Sequence, residues 1–199
     1  MAARRAEMMA ETRAKLIAAG RRAFAEKGYA ATSMDDLTAA VGLTRGALYH
    51  NFGDKRGLLA AVVDQVDEEM ATRAAAEAER RGGDDWEKLL IEGVAYIEAA
   101  MTPEVQRIVL LDGPAVLGDP SNWPSQNKCL AATMDCLARL AGTGRIKPVS
   151  IEAAARLLNG AALNAALWVA ASESPDAVLP EAIEAFTHLA SGLLVREPA

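Results

Sequence analysis

The chain has 199 residues, of which 51% are hydrophobic but only 5% aromatic, and a formal net charge of −6. That length suits a small domain joined to a larger, core-bearing one, and an alanine- and leucine-rich composition with almost no alternating β-branched stretches predicts an all-α protein. The longest apolar run, around residues 157–171, is interrupted by Asn159 and Asn164, so no membrane-spanning helix is expected.

Arg4 and Arg5 stand near the N-terminus without the apolar core of a signal peptide, which favours a cytoplasmic protein. Residues 12–27 form the first amphipathic pattern, with Leu16, Ile17, Ala23 and Phe24 inward and Gly28 closing the helix. Ser33 is a good N-cap for the next helix, and Asp36 three residues on completes a shortened capping box. Leu37, Ala40 and Val41 then share one face, and Gly42 gives the backbone freedom needed where that helix stops. Thr44 caps a further helix with Leu48 and Phe52 inward and Tyr49 and His50 turned elsewhere. Asp54 caps a long helix over residues 55 to about 80, nearly 40 Å at about 1.5 Å per residue, which Arg81-Gly82-Gly83 ends.

The remaining pattern is helical with short breaks. One helix is expected from Asp84 to about Met101, and another after Thr102-Pro103, where proline suits a first turn. Residues 112–120 are rich in breakers and read as irregular or as one short helix. Helices around 122–142, 150–172 and 176–195 complete the chain.

Two short helices joined by Val41-Gly42-Leu43-Thr44 have the layout of a helix-turn-helix, whose second helix enters the DNA major groove. A charge of −6 argues against such a partner until the chain is divided. Residues 1–57 hold ten Lys/Arg and six Asp/Glu, whereas residues 58–199 hold eleven and twenty-one, a basic head on an acidic body.

From Thr12 to Val66 the chain resembles the DNA-binding head of the TetR family of bacterial one-component repressors. The matching pieces are Phe24-Ala25-Glu26-Lys27-Gly28-Tyr29, Thr32-Ser33-Met34, and Val41-Gly42-Leu43-Thr44-Arg45-Gly46-Ala47-Leu48-Tyr49, completed by Phe52, Gly53, Asp54, Lys55 and Leu58-Leu59. The resemblance implies a three-helix helix-turn-helix domain at 1–57, with the motif itself at about 33–52. It also implies a larger helical effector-binding and dimerisation domain at 58–199. Two departures stand out: Ala47 where the family commonly has threonine, and Arg56-Gly57 in place of acidic, helix-favouring residues. Glycine there weakens the first helical turn by roughly 1 kcal/mol relative to alanine.

The expected DNA contacts are Thr32, Ser33, Thr44, Arg45, Gly46, Ala47, Tyr49, His50 and Lys55. Tyr49 and Lys55 are the leading phosphate ligands, a phenol on the recognition helix and an ammonium at a helix start. Thr32 and Ser33, at another helix start, offer hydroxyl or amide groups to phosphate. Arg45 is the leading base reader because a guanidinium bonds both acceptors of a guanine edge. Gly46 and Ala47 allow close approach, and His50 reaches phosphate or base.

In the body, Ala153, Ala154, Leu157, Leu158, Ala161, Ala162, Ala165 and Ala166 form a small-residue face, followed by Leu179, Ile183, Phe186, Leu189 and Leu193. Both faces could be buried within one subunit, but a four-helix homodimer interface, which the family resemblance implies, is favoured because one recognition helix alone binds weakly. Such a pair would read a palindromic double-stranded operator. Trp86, Tyr96, Met101, Trp123, Met134, Asn159, Asn164 and Trp168 are the candidates for an effector pocket, with residues 112–120 as its mouth and a partly apolar small molecule as its ligand. The only histidines, His50 and His188, lack neighbouring carboxylates at ligand spacing, so no metal and no cofactor is expected. Cys129 and Cys136 lie seven apart on one helix, about 10 Å in rise, too far for a bond; they read as small buried fillers rather than a redox sensor. Three readings stay open: a ligand-gated repressor, a ligand-independent DNA-binding regulator, and a helical small-molecule binder or enzyme. The first is favoured, and no nucleophile motif or phosphate loop supports catalysis.

Overall fold

Helix α1 spans Ala2–Ala31, beginning well upstream of the predicted residue 12, and Gly28 interrupts it at φ 78° and ψ 165°. The computed structural model describes residues 2–195, which form helices with no strand among them; one isolated bridge joins Ile146 and Leu194. Helices α2 (Met34–Ala40), α3 (Arg45–Phe52), α4 (Lys55–Arg81) and α5 (Asp85–Glu98) follow, and a 3-10 turn covers Ala99–Met101. Then come α6 (Pro103–Val105), a wide π-helical stretch (Gln106–Asp112) and α7 (Gly113–Leu117). A second 3-10 turn (Pro120–Asn122), α8 (Pro124–Gly142), α9 (Ile151–Ala171) and α10 (Pro175–Ser191) complete the order. No described helix is long and apolar enough to cross a membrane.

The chain divides into two compact units, residues 1–66 with 103–119, and residues 67–102 with 120–199. The boundary expected at residue 57 therefore falls inside the continuous helix α4, and the segment 103–119 groups with the head. Hydrophobic periodicity does not reveal this, because it shows that Val105, Ile108, Val109 and Leu110 want burial but not against which partner.

In the first unit, Leu16, Phe24, Leu37, Leu48, Leu58, Leu59 and Val62 are fully or almost fully buried. Gly20 permits close packing, since a Cβ there would sit 3.1 Å from the Leu58 side chain. Burial on α2 differs from the expected face: Leu37 and Thr38 point inward, while Ala40 is exposed. The Thr38 hydroxyl donates to the carbonyls of Met34 and Asp35, which lets a polar side chain take a core position. Residues 103–119 are tied to α1 by the Arg21–Glu104 fork (2.7 and 2.8 Å) and by the Tyr29 amide, which donates to Asp112 Oδ2 at 2.7 Å. Arg56 at the start of α4 donates to the carbonyls of Val116 and Leu117.

In the second unit, Asp84 and Glu87 form a full capping box at the start of α5. At Ser33 the cap is simpler than expected: its hydroxyl accepts from the Asp35 amide at 3.2 Å, and the described bonds do not complete a box through Asp36. Trp86 packs with Leu137, Leu140, Ile146, Ala154, Ala155 and Ala190 in the core of this unit. Helix α9 is central, packing against α5, α8 and α10 through its alanines.

Candidate nucleic-acid interface and ligand cavity

The turn of the helix-turn-helix is built from local signals. Gly42 adopts φ +66°, α2 ends, and the Leu43 amide returns to the Thr38 carbonyl at 2.9 Å. Thr44 Oγ1 accepts the Ala47 amide at 3.2 Å, capping α3 as expected, and Gly53 ends that helix at φ 77°. Leu48 anchors α3 with its side chain fully buried, so Arg45, Gly46, Tyr49 and His50 face outward, Tyr49 at 50% exposure. Arg45 Nε lies 3.0 Å from Asp35 Oδ1, but both side chains are more than half exposed, and such a pair opens easily. Ala47 is half-buried, and Ser33 is exposed beside the start of α2.

Two expected contacts have internal duties. Thr32 is 4% exposed; its hydroxyl donates to the Gly28 carbonyl at 2.7 Å and its amide to that of Tyr29 at 3.2 Å. Neither group is presented to solvent, which corrects the expectation for this residue. Lys55 is half-buried, and its Nζ donates to the carbonyls of Tyr29 (2.9 Å) and Thr32 (3.0 Å) while lying 4.2 Å from the Tyr29 ring centroid. Both carbonyls lie around the C-terminal end of α1, where helical partners run out, and the Lys55 ammonium bonds the two together.

The second unit contains a cavity of about 410 Å³, partly open to solvent and lined by residues of α4, α5, α8, α9 and α10. Its apolar wall includes Leu89, Leu90, Leu158 and Phe186, and its polar groups include Asp67, Glu92, Tyr96, Ser125, Gln126 and Asn159. Gln126 Nε2 donates to Asp67 Oδ2 at 2.8 Å and to the Tyr96 hydroxyl at 3.2 Å. Burial, then the Asp67 carboxylate, pushes the Tyr96 phenol well above its ordinary range. Burial likewise raises Glu92, with Glu79 adding to the shift and Lys88 opposing it. The Cys129 thiol on the same wall is pushed up to about 11, first by burial and then by Asp67 and Glu92. Cys136 is raised by burial and donates to the Asp85 carbonyl at 3.4 Å. Thiols raised this way are poor nucleophiles at neutral pH, in keeping with a filling role.

The family described as "Bacterial regulatory proteins, tetR family" matches residues 16–62, and "Tetracyclin repressor-like, C-terminal domain" matches residues 86–193. The chain belongs to the TetR family of transcriptional regulators. A solved TetR-family transcriptional regulator from Pectobacterium atrosepticum is 46% identical, covers 96% of this chain and 98% of its own, and superposes with a TM-score of 0.86. Similarity to two characterised regulators is confined to a shorter stretch. The HTH-type transcriptional regulator TtgR of Pseudomonas putida is 41% identical over 68 residues, 34% of this chain and 32% of that protein. The HTH-type transcriptional repressor AcnR of Corynebacterium glutamicum is 38% identical over 60 residues, 30% of this chain and 32% of that protein. This chain thus matches about a third of the length of those relatives.

Within this TetR-family body, Tyr96 and Asn159 are the two residues of the expected effector set that line the cavity, and Asn159 Oδ1 accepts the Thr133 hydroxyl at 3.0 Å. The other expected pocket residues do not line it. Trp86 belongs to the hydrophobic core, Met134 packs against that core, and Trp123 is buried elsewhere in the unit; Met101 is half-buried away from the lining. Asn164 and Trp168 are exposed on α9, and none of residues 112–120 contributes to the wall. Sequence reasoning passed over Asp67 and Glu92, although a signal was present. Asp67 continues the apolar stripe of Val63, Val66, Met70 and Ala74, and Glu92 falls between Leu89 and Tyr96 at helical spacing. A carboxylate on an inward face is the informative exception.

Proposed function

We propose that two copies of this chain form a homodimeric repressor, that α3 of each copy enters the major groove of a palindromic operator, and that a small molecule in the cavity releases the DNA. Such a regulator works in the cytoplasm, where its operator is. The observation that carries DNA binding is the outward face of α3. Leu48 fixes the helix from below, leaving Arg45, Gly46, Tyr49 and His50 uncommitted to the core. Arg45 reads a base edge, and Tyr49, Ser33 and His50 contact phosphate. Thr44 and Ala47 hold the start of α3 close to the backbone. Lys55 acts chiefly by fixing the loop before α2, with its third hydrogen left for phosphate.

Dimerisation is supported by an exposed apolar face. Leu157 is 74%, Trp168 50% and Leu189 70% exposed, on α9 and α10. This face is narrower than the one drawn from sequence, because Ala154, Ala162, Ala166 and Phe186 are buried within the unit itself. A two-fold pair would address half-sites roughly 34–36 Å apart. Release is carried by the segment 103–119, which grips α1 and α4 while its two ends continue into cavity-forming helices of the second unit.

The test is fluorescence anisotropy of the full chain on DNA from its own upstream region, over a range of salt. Binding should weaken steeply as salt rises, with log Kobs linear in log salt, and Arg45→Ala should abolish preference for that fragment. Absence of binding to any genomic duplex at low salt would sink the reading.

A further inference from the structure

We infer that Asp35 on α2 is a specificity-determining residue: it steers the Arg45 guanidinium toward base edges and away from phosphate. This inference rests on Arg45 being the base reader, and it adds the residue that makes the contact selective.

The first observation is a charge out of place. Arg45 opens α3, and no acidic residue stands in the first turn of that helix. A helix start carries the positive end of the peptide dipoles, so a cation there is disfavoured. The counter-charge comes from the other helix of the motif, where Asp35 Oδ1 lies 3.0 Å from Arg45 Nε. Local rules are broken in this way mostly at functional positions, with compensation from elsewhere in the fold.

The second observation is that backbone contacts set both ends of the pair. The Asp35 amide donates to the Ser33 hydroxyl at 3.2 Å, and its carbonyl accepts from the buried Thr38 hydroxyl at 3.1 Å. The Leu43 amide ties the turn to the Thr38 carbonyl at 2.9 Å, and Thr44 caps α3 beside Arg45. The ion pair engages Nε, and the two terminal nitrogens of the guanidinium suffice for O6 and N7 of a guanine.

In the free head both partners are exposed and the pair is weak. Beneath a duplex it loses solvent, and opposite charges at this distance then attract far more strongly. The carboxylate also offsets the charge that Arg45 would otherwise lend to any phosphate. A matching base edge keeps its oriented fork, whereas arbitrary sequence loses the pull of one cation.

Fluorescence anisotropy of the full chain on its operator fragment and on a scrambled duplex of equal length gives a ratio of affinities. Asp35→Asn should tighten binding to the scrambled duplex and lower that ratio about tenfold. Asp36→Asn controls for charge alone, because Asp36 is exposed in the same first turn of α2. It should tighten both duplexes equally and keep the ratio, and so should Asp35→Asn placed in an Arg45→Ala background. Unchanged helicity by circular dichroism shows that each variant is folded. An unchanged ratio in Asp35→Asn, or equal losses in Asp35→Asn and Asp36→Asn, would overturn the role of Asp35 while leaving base readout by Arg45 intact. If Arg45→Ala alone keeps the ratio, base readout by Arg45 fails and the role of Asp35 fails with it.

Discussion

The Lys55 ammonium closes over Tyr29, 4.2 Å from its ring centroid and 2.9 Å from its carbonyl oxygen. One side chain at the start of α4 thereby holds the loop between α1 and α2. Lys55→Ala should lower the stability of the head by about 1–2 kcal/mol, from two lost charge-assisted hydrogen bonds and a cation–π contact partly shared with water. Tyr49→Ala, by contrast, should weaken DNA binding with the denaturant midpoint unchanged. If Lys55→Ala keeps full stability and loses only DNA affinity, the clamp is not the role of this lysine.

Gly57 reverses the usual preference of helices for alanine. A Cβ at this position would overlap the Phe52 carbonyl oxygen, at the place where the chain passes from α3 into α4. Helix propensity alone favours Gly57→Ala by roughly 1 kcal/mol. The overlap with backbone, which cannot turn aside as a side chain can, should instead make the variant less stable by about 1–3 kcal/mol. Urea denaturation monitored by circular dichroism gives the sign directly, and a stabilised Gly57→Ala would show that the close approach is relaxed in solution.

Glu92 gives the body a distinctive pH response. Burial raises its carboxyl above the ordinary value of 4.5. A carboxyl raised in the folded state opposes folding once pH climbs past its unfolded value, and the cost is complete above its folded value. Glu92→Gln should therefore raise the melting temperature at neutral pH, and the gain should vanish below the ordinary value, where both states are protonated. A gain that persists in acid would assign the effect to something other than charge burial.

Leu157 and Leu189 are exposed on neighbouring helices of one subunit, so their replacement tests assembly without disturbing the core. Leu157→Glu with Leu189→Glu should yield a monomer by light scattering, with helicity and thermal stability of the subunit within about 0.5 kcal/mol of the unchanged surface. Operator affinity should drop by orders of magnitude, because the second half-site contact is lost. A double variant that remains dimeric would move the interface elsewhere.

The head was legible because its signals are local. Ser33, Thr44 and Asp54 cap their own helices, Gly42 and Gly53 adopt the positive φ that ends α2 and α3, Gly28 the positive φ that kinks α1, and Leu16, Phe24 and Leu48 fall on the inward face at helical spacing. Each feature is decided within about four residues, which is the range over which sequence patterns speak. The internal duty of Lys55 was not legible for the opposite reason: the carbonyls it meets, those of Tyr29 and Thr32, lie 26 and 23 residues away in the chain.

By itself, then, the sequence determined the all-helical class, the caps and turns that bound α2 and α3, and the outward face of α3. Only tertiary structure decided that Tyr96 and Asn159 share a cavity while Trp168 and Asn164 face solvent, and that residues 103–119 pack with the head. The physical reason is that an apolar face asks only for burial. Which helix answers it, and which carboxylates are carried inward with it, depends on how α4, α5, α8, α9 and α10 close around one another.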